Sequence, residues 1–188
     1  MTQPAMPSGQ KVFIVGPGFI GWNVLDILIE HGYTVTGLVR RDEHAEGIRK
    51  SGATAVMGSL DDKEMITKHT IDHDIIFHTA TADHMPSAVA ILDGIKQRAS
   101  QGLSTIYIHT SGTSVLNDNA KGGQKSDKVY HDEKREEIDS VPDSAPHREI
   151  DLEIVKAQKE IGDKAKIAIM IPPLIYGCKW ACTRHPFP

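Results

Sequence analysis

The sequence predicts an α/β fold built on a doubly wound parallel sheet. Short β-rich apolar runs alternate with stretches of helical period about six times, the pattern of a sheet covered on both faces. A glycine-rich turn joins the first strand to the first helix. The 188 residues, with 39% apolar and 24% charged, suffice for one domain with a sizeable core.

KVFIV, Lys11 to Val15, is the first strand. FIGWNVLDILIEHG follows, where Phe19, Ile20, Val24, Ile27 and Leu28 form an apolar helical face and Gly32 stops the helix. YTVTGLV, TAVMG, DIIFHTA and STIYIHT are strands two to five, with helices expected near Glu43 to Lys50, Asp62 to His69 and Pro86 to Gln101. From Ser111 to Pro146 the chain is polar, charged and without period, a long irregular connection of the kind that is functional or disordered. Periodicity returns in REIDLEIVKAQKEIG, whose Ile150, Ile154, Ala157 and Ile161 share a face, and KIAIMI is the sixth strand.

Charge and composition narrow the partners. A net charge of −4 argues against nucleic acid as an obligate partner and leaves no polybasic membrane patch. No apolar run is long enough to span a bilayer. Residues 1–10 read as a loose tail and not as a signal peptide. The two cysteines, Cys178 and Cys182, make no disulfide framework, so a reducing cytoplasm is expected. These two with His185 lack an evident fourth ligand, so no metal site is expected.

Gly16-Pro17-Gly18-Phe19-Ile20-Gly21 is G-x-G-x-x-G placed between a strand and a helix. Gly16 permits the tight turn, Gly18 lets a pyrophosphate approach the backbone, and Gly21 lets the helix pack on the sheet. The first-turn amides and the helix dipole then hold phosphate. The second strand ends in Val39-Arg40-Arg41, and two guanidiniums suit the 2′-phosphate of NADP. Asp42 and Glu43 follow and keep NAD open.

With the glycine loop, HTATAD after strand four, HTSGTS after strand five and PPLIYG after strand six, the chain resembles the extended short-chain dehydrogenase/reductases. More narrowly it is similar to the NAD-dependent epimerase/dehydratase family, in the atypical branch that includes NmrA-like proteins. The resemblance covers Lys11 to Gly177 and implies a Rossmann NAD(P)-binding domain there. It implies that Asp61 of GSLDD, with Leu60 beside it, lies near the adenine. It implies Thr79, Ala80 and Thr81 along the ribose and nicotinamide, Pro172 and Pro173 bordering the nicotinamide, and Ser111 positioning substrate.

The family chemistry uses a tyrosine whose proton transfer is assisted by a lysine four residues on. At the corresponding helix start this chain has Pro146-His147-Arg148-Glu149-Ile150-Asp151, with histidine for tyrosine and aspartate for lysine. His147 and Asp151, at i and i+4, are expected to pair as a substitute acid/base dyad, or to be an ordinary surface histidine and its partner. Tyr130 and Lys134 keep the literal Tyr-x-x-x-Lys spacing upstream, among acids that disfavour a basic phenolate. His78 and His109, at strand ends, read as pocket-lining or satisfied polar groups.

After PPLIYG the sequence runs into CKWACTRHPFP, residues 178–188 forming an irregular tail without period where the family continues into a substrate-binding region. The expectation is a chain truncated there, or ending in out-of-frame or unspliced sequence, with an apolar patch open to dimerisation. Two functions are weighed: hydride transfer between NADP(H) and a small carbonyl or alcohol, and a non-catalytic, NmrA-like dinucleotide-binding or redox-sensing regulator.

Overall fold

The structure is a computed structural model that describes residues 9–116, 123 and 127–176. Six strands form one parallel sheet: β1 (Lys11–Val15), β2 (Thr34–Val39), β3 (Thr54–Met57), β4 (Ile75–His78), β5 (Thr105–Thr110) and β6 (Ala165–Met170). Their order is β3-β2-β1-β4-β5-β6. The chain therefore winds outward from β1 in one direction, then returns to β4 and winds in the other. Between β1 and β4 the connections diverge, which opens a crevice at the strands' carboxyl ends.

Six helices connect and flank the strands: α1 (Phe19–Glu30), α2 (Asp42–Lys50), α3 (Lys63–Asp72), α4 (Met85–Ser100), α5 (Arg135–Asp139) and α6 (Arg148–Ile161). Alternation along β1 shows how one sequence serves two cores. Val12 and Ile14 join Trp22, Leu25, Val35 and Ile48 under α1 and α2. Phe13 and Val15 join Ile66, Ile91, Ile95, Tyr107 and Ile154 under α3, α4 and α6. Each such side chain contributes about 1.5–3 kcal/mol by leaving water.

The expected fold and the order of its elements hold, with ends shifted by one to three residues. Gly32, at φ +77°, follows α1 in the left-handed conformation a helix stop favours. The long connection is not wholly irregular. It contains a 3₁₀ turn at Thr113–Leu116 and the short α5. Charge contacts, not an apolar face, hold α5: Arg135 to Asp139 at 3.3 Å and Lys134 to Glu137 at 3.0 Å. That is why a hydrophobic period could not reveal it. The tails, with Trp180, Phe187, Cys178, Cys182 and His185, lie outside the described residues, as does Gly177. Among the described residues no helix is long and apolar enough to cross a membrane, and no group of three or more His, Cys, Asp or Glu could hold a metal.

Candidate functional site

The turn after β1 and the segment after β4 meet at the crevice. Gly16 adopts φ +77°, and its backbone lies so close to Ala80 that any Cβ would collide with it. A Cβ at Gly21 would strike the Thr79 hydroxyl, which donates to the Gly16 carbonyl at 2.8 Å. These two glycines are required by the chain itself. Gly18 is different: a Cβ there would meet nothing nearer than the Gly16 carbonyl oxygen, at 3.9 Å. No neighbouring atom excludes a side chain there, and the glycine leaves its backbone open to a group lying against it. Gly18 is also the N-cap of α1 and brings no side chain to bond its first-turn amides. Bare backbone at the start of a twelve-residue helix suits a phosphate.

From this turn a cleft of about 440 Å³ runs along the strand ends. Ile20, Thr79, Ala80 and Thr81 line one side, Ser111 and Ser114 another, and Pro172 and Pro173 a third. Ser111 follows β5 directly and its amide donates to the Met170 carbonyl at 2.8 Å, so the sheet's register fixes its place. Its hydroxyl donates to Asp151 Oδ2 at 2.9 Å. Asp151 is on the buried face of α6, and burial pushes its carboxyl above the ordinary carboxylate range.

Behind Ser111 lies a buried polar chain. His109 Nε2 faces Asp151 Oδ1 at 4.0 Å, too far for a hydrogen bond, and neither atom has a hydrogen-bond partner. On the other edge of the ring, His109 Nδ1 is 3.1 Å from both His78 Nδ1 and the Tyr107 hydroxyl. His78 Nε2 lies 3.1 Å from Ser87 Oγ. Burial, with His147 nearby, pushes His109 down to about 4. Burial, with His109 and His84 nearby, takes His78 to about 3. Both rings are therefore neutral at neutral pH.

A family model described as NAD(P)H-binding matches residues 16–145, which include the glycine turn and most of the cleft. The chain belongs to the NAD(P)H-binding family. It is 31% identical over 178 residues to the oxidase ucsJ of an Acremonium species, covering 89% of this chain and 51% of that protein. A short-chain type dehydrogenase/reductase from Mycobacterium ulcerans superposes with a TM-score of 0.68 at 12% identity, over 89% of this chain and 68% of that one. The yeast methylglyoxal/isovaleraldehyde reductase complexed with NADPH superposes at 0.61 with 20% identity, over 90% and 59%. At such identities the likeness is one of fold. The chain spans about half the length of the curated relatives it matches.

In this NAD(P)H-binding chain most residues singled out from the sequence converge on the carboxyl ends of the strands. Phe19 is exposed beside the glycine turn and Ile20 reaches the cleft. Arg40 follows β2 and is exposed, and Arg41 precedes α2 with its guanidinium 2.6 Å from His44 Nε2. Leu60 packs against the core while Asp61 is exposed and meets His84 at 3.2 Å.

Neither of the two candidate pairs is brought together on a helix. His147 does not pair with Asp151: it is the N-cap of α6, at φ +66° and off the helix, so helical i,i+4 spacing does not apply to it. Its Nδ1 donates to Asp83 at 2.5 Å and its Nε2 meets Ser114 Oγ at 2.6 Å. Tyr130 and Lys134 share no helix either. Tyr130 precedes a turn, with Lys128 Nζ 4.5 Å over its ring, and Lys134 is the exposed N-cap of α5. The sequence reading missed Asp83 and Ser114 as partners of His147. Only the HTATAD and HTSGTS segments that contain them hinted at a role.

Proposed function

We propose that the chain is the dinucleotide-binding part of an NADP(H)-dependent oxidoreductase acting on a small carbonyl or alcohol. The observation that carries this reading is the contact of Ala80 with Gly16. It makes the phosphate-ready turn and the Ser111 cleft one continuous site. A dinucleotide bound there supplies or accepts hydride. The amides and bare backbone at Gly16, Gly18 and Gly21 fit its diphosphate, and Thr79, Ala80, Thr81 and Pro172 fit its ribose and nicotinamide side. Arg40 and Arg41 favour a 2′-phosphate, with Asp61 near the adenine.

Within the cleft, Ser111 holds the substrate oxygen. His147 is the proton carrier in place of the family tyrosine, its ring oriented by Asp83 and not by Asp151. Asp151 acts behind Ser111. A second reading, a binding or redox-sensing module without turnover, is favoured by one observation: no tyrosine–lysine pair stands at the start of α6. A scan of NADPH oxidation against a panel of aldehydes and ketones, beside a binding titration with NADPH and NADH, separates the two. Turnover establishes the first reading; binding without turnover establishes the second.

A further inference from the structure

Three segments far apart in sequence bring a carboxylate, a histidine and a serine into a row. Asp83 lies on the segment after β4, His147 caps α6, and Ser114 is in the 3₁₀ turn after β5. Asp83 Oδ1 is 2.5 Å from His147 Nδ1, and Ser114 Oγ is 2.6 Å from His147 Nε2. A carboxylate can only accept, so the neutral ring keeps its proton on Nδ1 and leaves Nε2 as an acceptor. The Ser114 hydroxyl must then donate into Nε2. Its oxygen lone pairs remain for the cleft, which Ser114 lines while the ring stands behind it. Two backbone features keep the ring there. His147 is held at φ +66°, in the left-handed region, and strain of this kind collects at functional sites. Gly112 gives the ring room, since a Cβ on it would lie 3.1 Å from Nε2.

A serine bonded to a histidine that a carboxylate orients is the arrangement that turns a weakly nucleophilic hydroxyl into an attacking group. We propose that Ser114, His147 and Asp83 form a nucleophilic triad that passes the acyl group of a small, neutral ester to water. Ser114 Oγ bonds to the ester carbon as His147 Nε2 takes its proton. The bond from that carbon to the leaving alkoxide oxygen then breaks, and His147 hands the proton to it. Water repeats the two steps on the acyl-serine, releasing the acid and restoring the hydroxyl. Asp83 touches no reacting atom and is a positioning residue. The cleft sets the class of substrate. Among the described residues that line it none is charged, Ile20, Ala80, Ala82, Pro172 and Pro173 give it apolar walls, and its 440 Å³ admits a short acyl chain. Thr81 brings a hydroxyl to the same cleft, and because its Oγ1 accepts from the Asp83 amide at 3.2 Å, its own proton is left to donate. An ester, more electrophilic than an amide, asks least of such a donor as charge develops on the carbonyl oxygen.

This acyl transfer uses the cleft but no dinucleotide, so it stands or falls apart from the oxidoreductase reading. The test takes the dinucleotide-free chain, treats it with an alkyl fluorophosphonate and locates the adduct by peptide mass spectrometry. Hydrolysis of p-nitrophenyl acetate and butyrate is followed in parallel. One phosphonyl adduct is expected, on Ser114, with ester hydrolysis lost in proportion to labelling. Ser114→Ala removes both. His147→Gln is expected to slow both about 100-fold, the loss of a general base. Asp83→Asn is expected to lower kcat for the ester about tenfold with KM little changed, and Asp83→Glu to restore part of it, which a purely structural role would not do. Ser114 and Asp83 are exposed, so the melting temperatures of their variants should match the parent's. No adduct, an adduct on another residue, or labelling as fast in His147→Gln as in the parent overturns the proposal. Should His147→Gln fail to fold, labelling of Asp83→Asn at the parent's rate overturns it equally.

Discussion

Gly21 of α1 lies against the Thr79 hydroxyl, which in turn donates to the Gly16 carbonyl at 2.8 Å. Helix, glycine turn and β4 end are thereby locked together with no room for a methyl group. Gly18, between them, has room for a Cβ, which would meet only the Gly16 carbonyl oxygen at 3.9 Å. Alanine at the two positions should act differently. Gly21→Ala is expected to lower the melting temperature, because overpacking costs about 1–3 kcal/mol. Gly18→Ala is expected to melt like the parent and to bind NADPH about tenfold more weakly. Calorimetry of melting and of binding checks both, and equal effects at the two positions would remove the case for a ligand at Gly18.

Arg40 and Arg41 follow β2 at its carboxyl end, where the proposed reading puts the adenosine ribose. Replacing both with alanine is expected to weaken NADPH binding by about 100-fold, the loss of two charge-assisted bonds to phosphate, while leaving NADH within about twofold. Titration of both nucleotides into both proteins measures the ratio. Equal losses would mean that the guanidiniums, one of them shared with His44, do not read the 2′-phosphate.

Much of this was legible in the sequence. Lys11–Val15 followed by G-x-G-x-x-G announces the strand, turn and helix because hydrophobic period and glycine spacing are local signals. The partner of His147 was not legible. A left-handed residue ahead of α6 takes the ring off the helix face, and the carboxylate it meets is 64 positions away, on the segment after β4. Nor could a period of two show that His78 and His109 stack on adjacent strands, since only the β4–β5 register pairs them.

That register has a cost in acid. The free imidazole is protonated below about 6.5, whereas His109 in the fold stays neutral to about 4 and His78 to about 3. Between these values the unfolded chain binds more protons, so stability falls as pH drops from 6.5 towards 4. His109 alone contributes roughly 3 kcal/mol to this loss. Asp151 has the opposite sign, because its raised value favours the folded state at low pH and is lost as pH rises through it. Urea unfolding from pH 7 to pH 4.5 is expected to show a net fall that His109→Gln flattens. A slope unchanged in that variant would place the acid sensitivity elsewhere.

At the opposite end of the sheet Arg98 is buried and spends its guanidinium on four acceptors. Nη2 reaches Asp74 at 2.7 Å and the Ser104 carbonyl at 3.1 Å, Nη1 the Ile71 carbonyl at 2.7 Å, and Nε the Thr105 hydroxyl at 2.9 Å. The group ties α3, α4 and the starts of β4 and β5 together. Arg98→Ala is expected to cost about 3 kcal/mol, since it takes this partner from the buried Thr105 hydroxyl and the part-buried Ile71 and Ser104 carbonyls and Asp74 carboxylate. Lysine should recover only part of that, since a point charge cannot span the same fork. Denaturant midpoints at constant slope test this, and dinucleotide affinity should follow only through the fraction folded.

On the proposed reading His147 connects fold and chemistry. A non-glycine residue at φ +66° carries backbone strain, and here the ring's bonds to Asp83 and Ser114 hold it in place. Relief of strain and loss of function should therefore separate. His147→Gly removes the strain and the ring together, and is expected to keep or raise the melting temperature while turnover falls about 100-fold, the lower range for a lost acid/base group. Asp83→Asn keeps the ring but weakens its orientation, so kcat should fall by a smaller factor, about tenfold, with KM little changed. NADPH affinity should be unaltered in both. If His147→Gly keeps full turnover of a substrate the parent accepts, the proton is carried by another group, and Ser111 with Asp151 becomes the pair to test next.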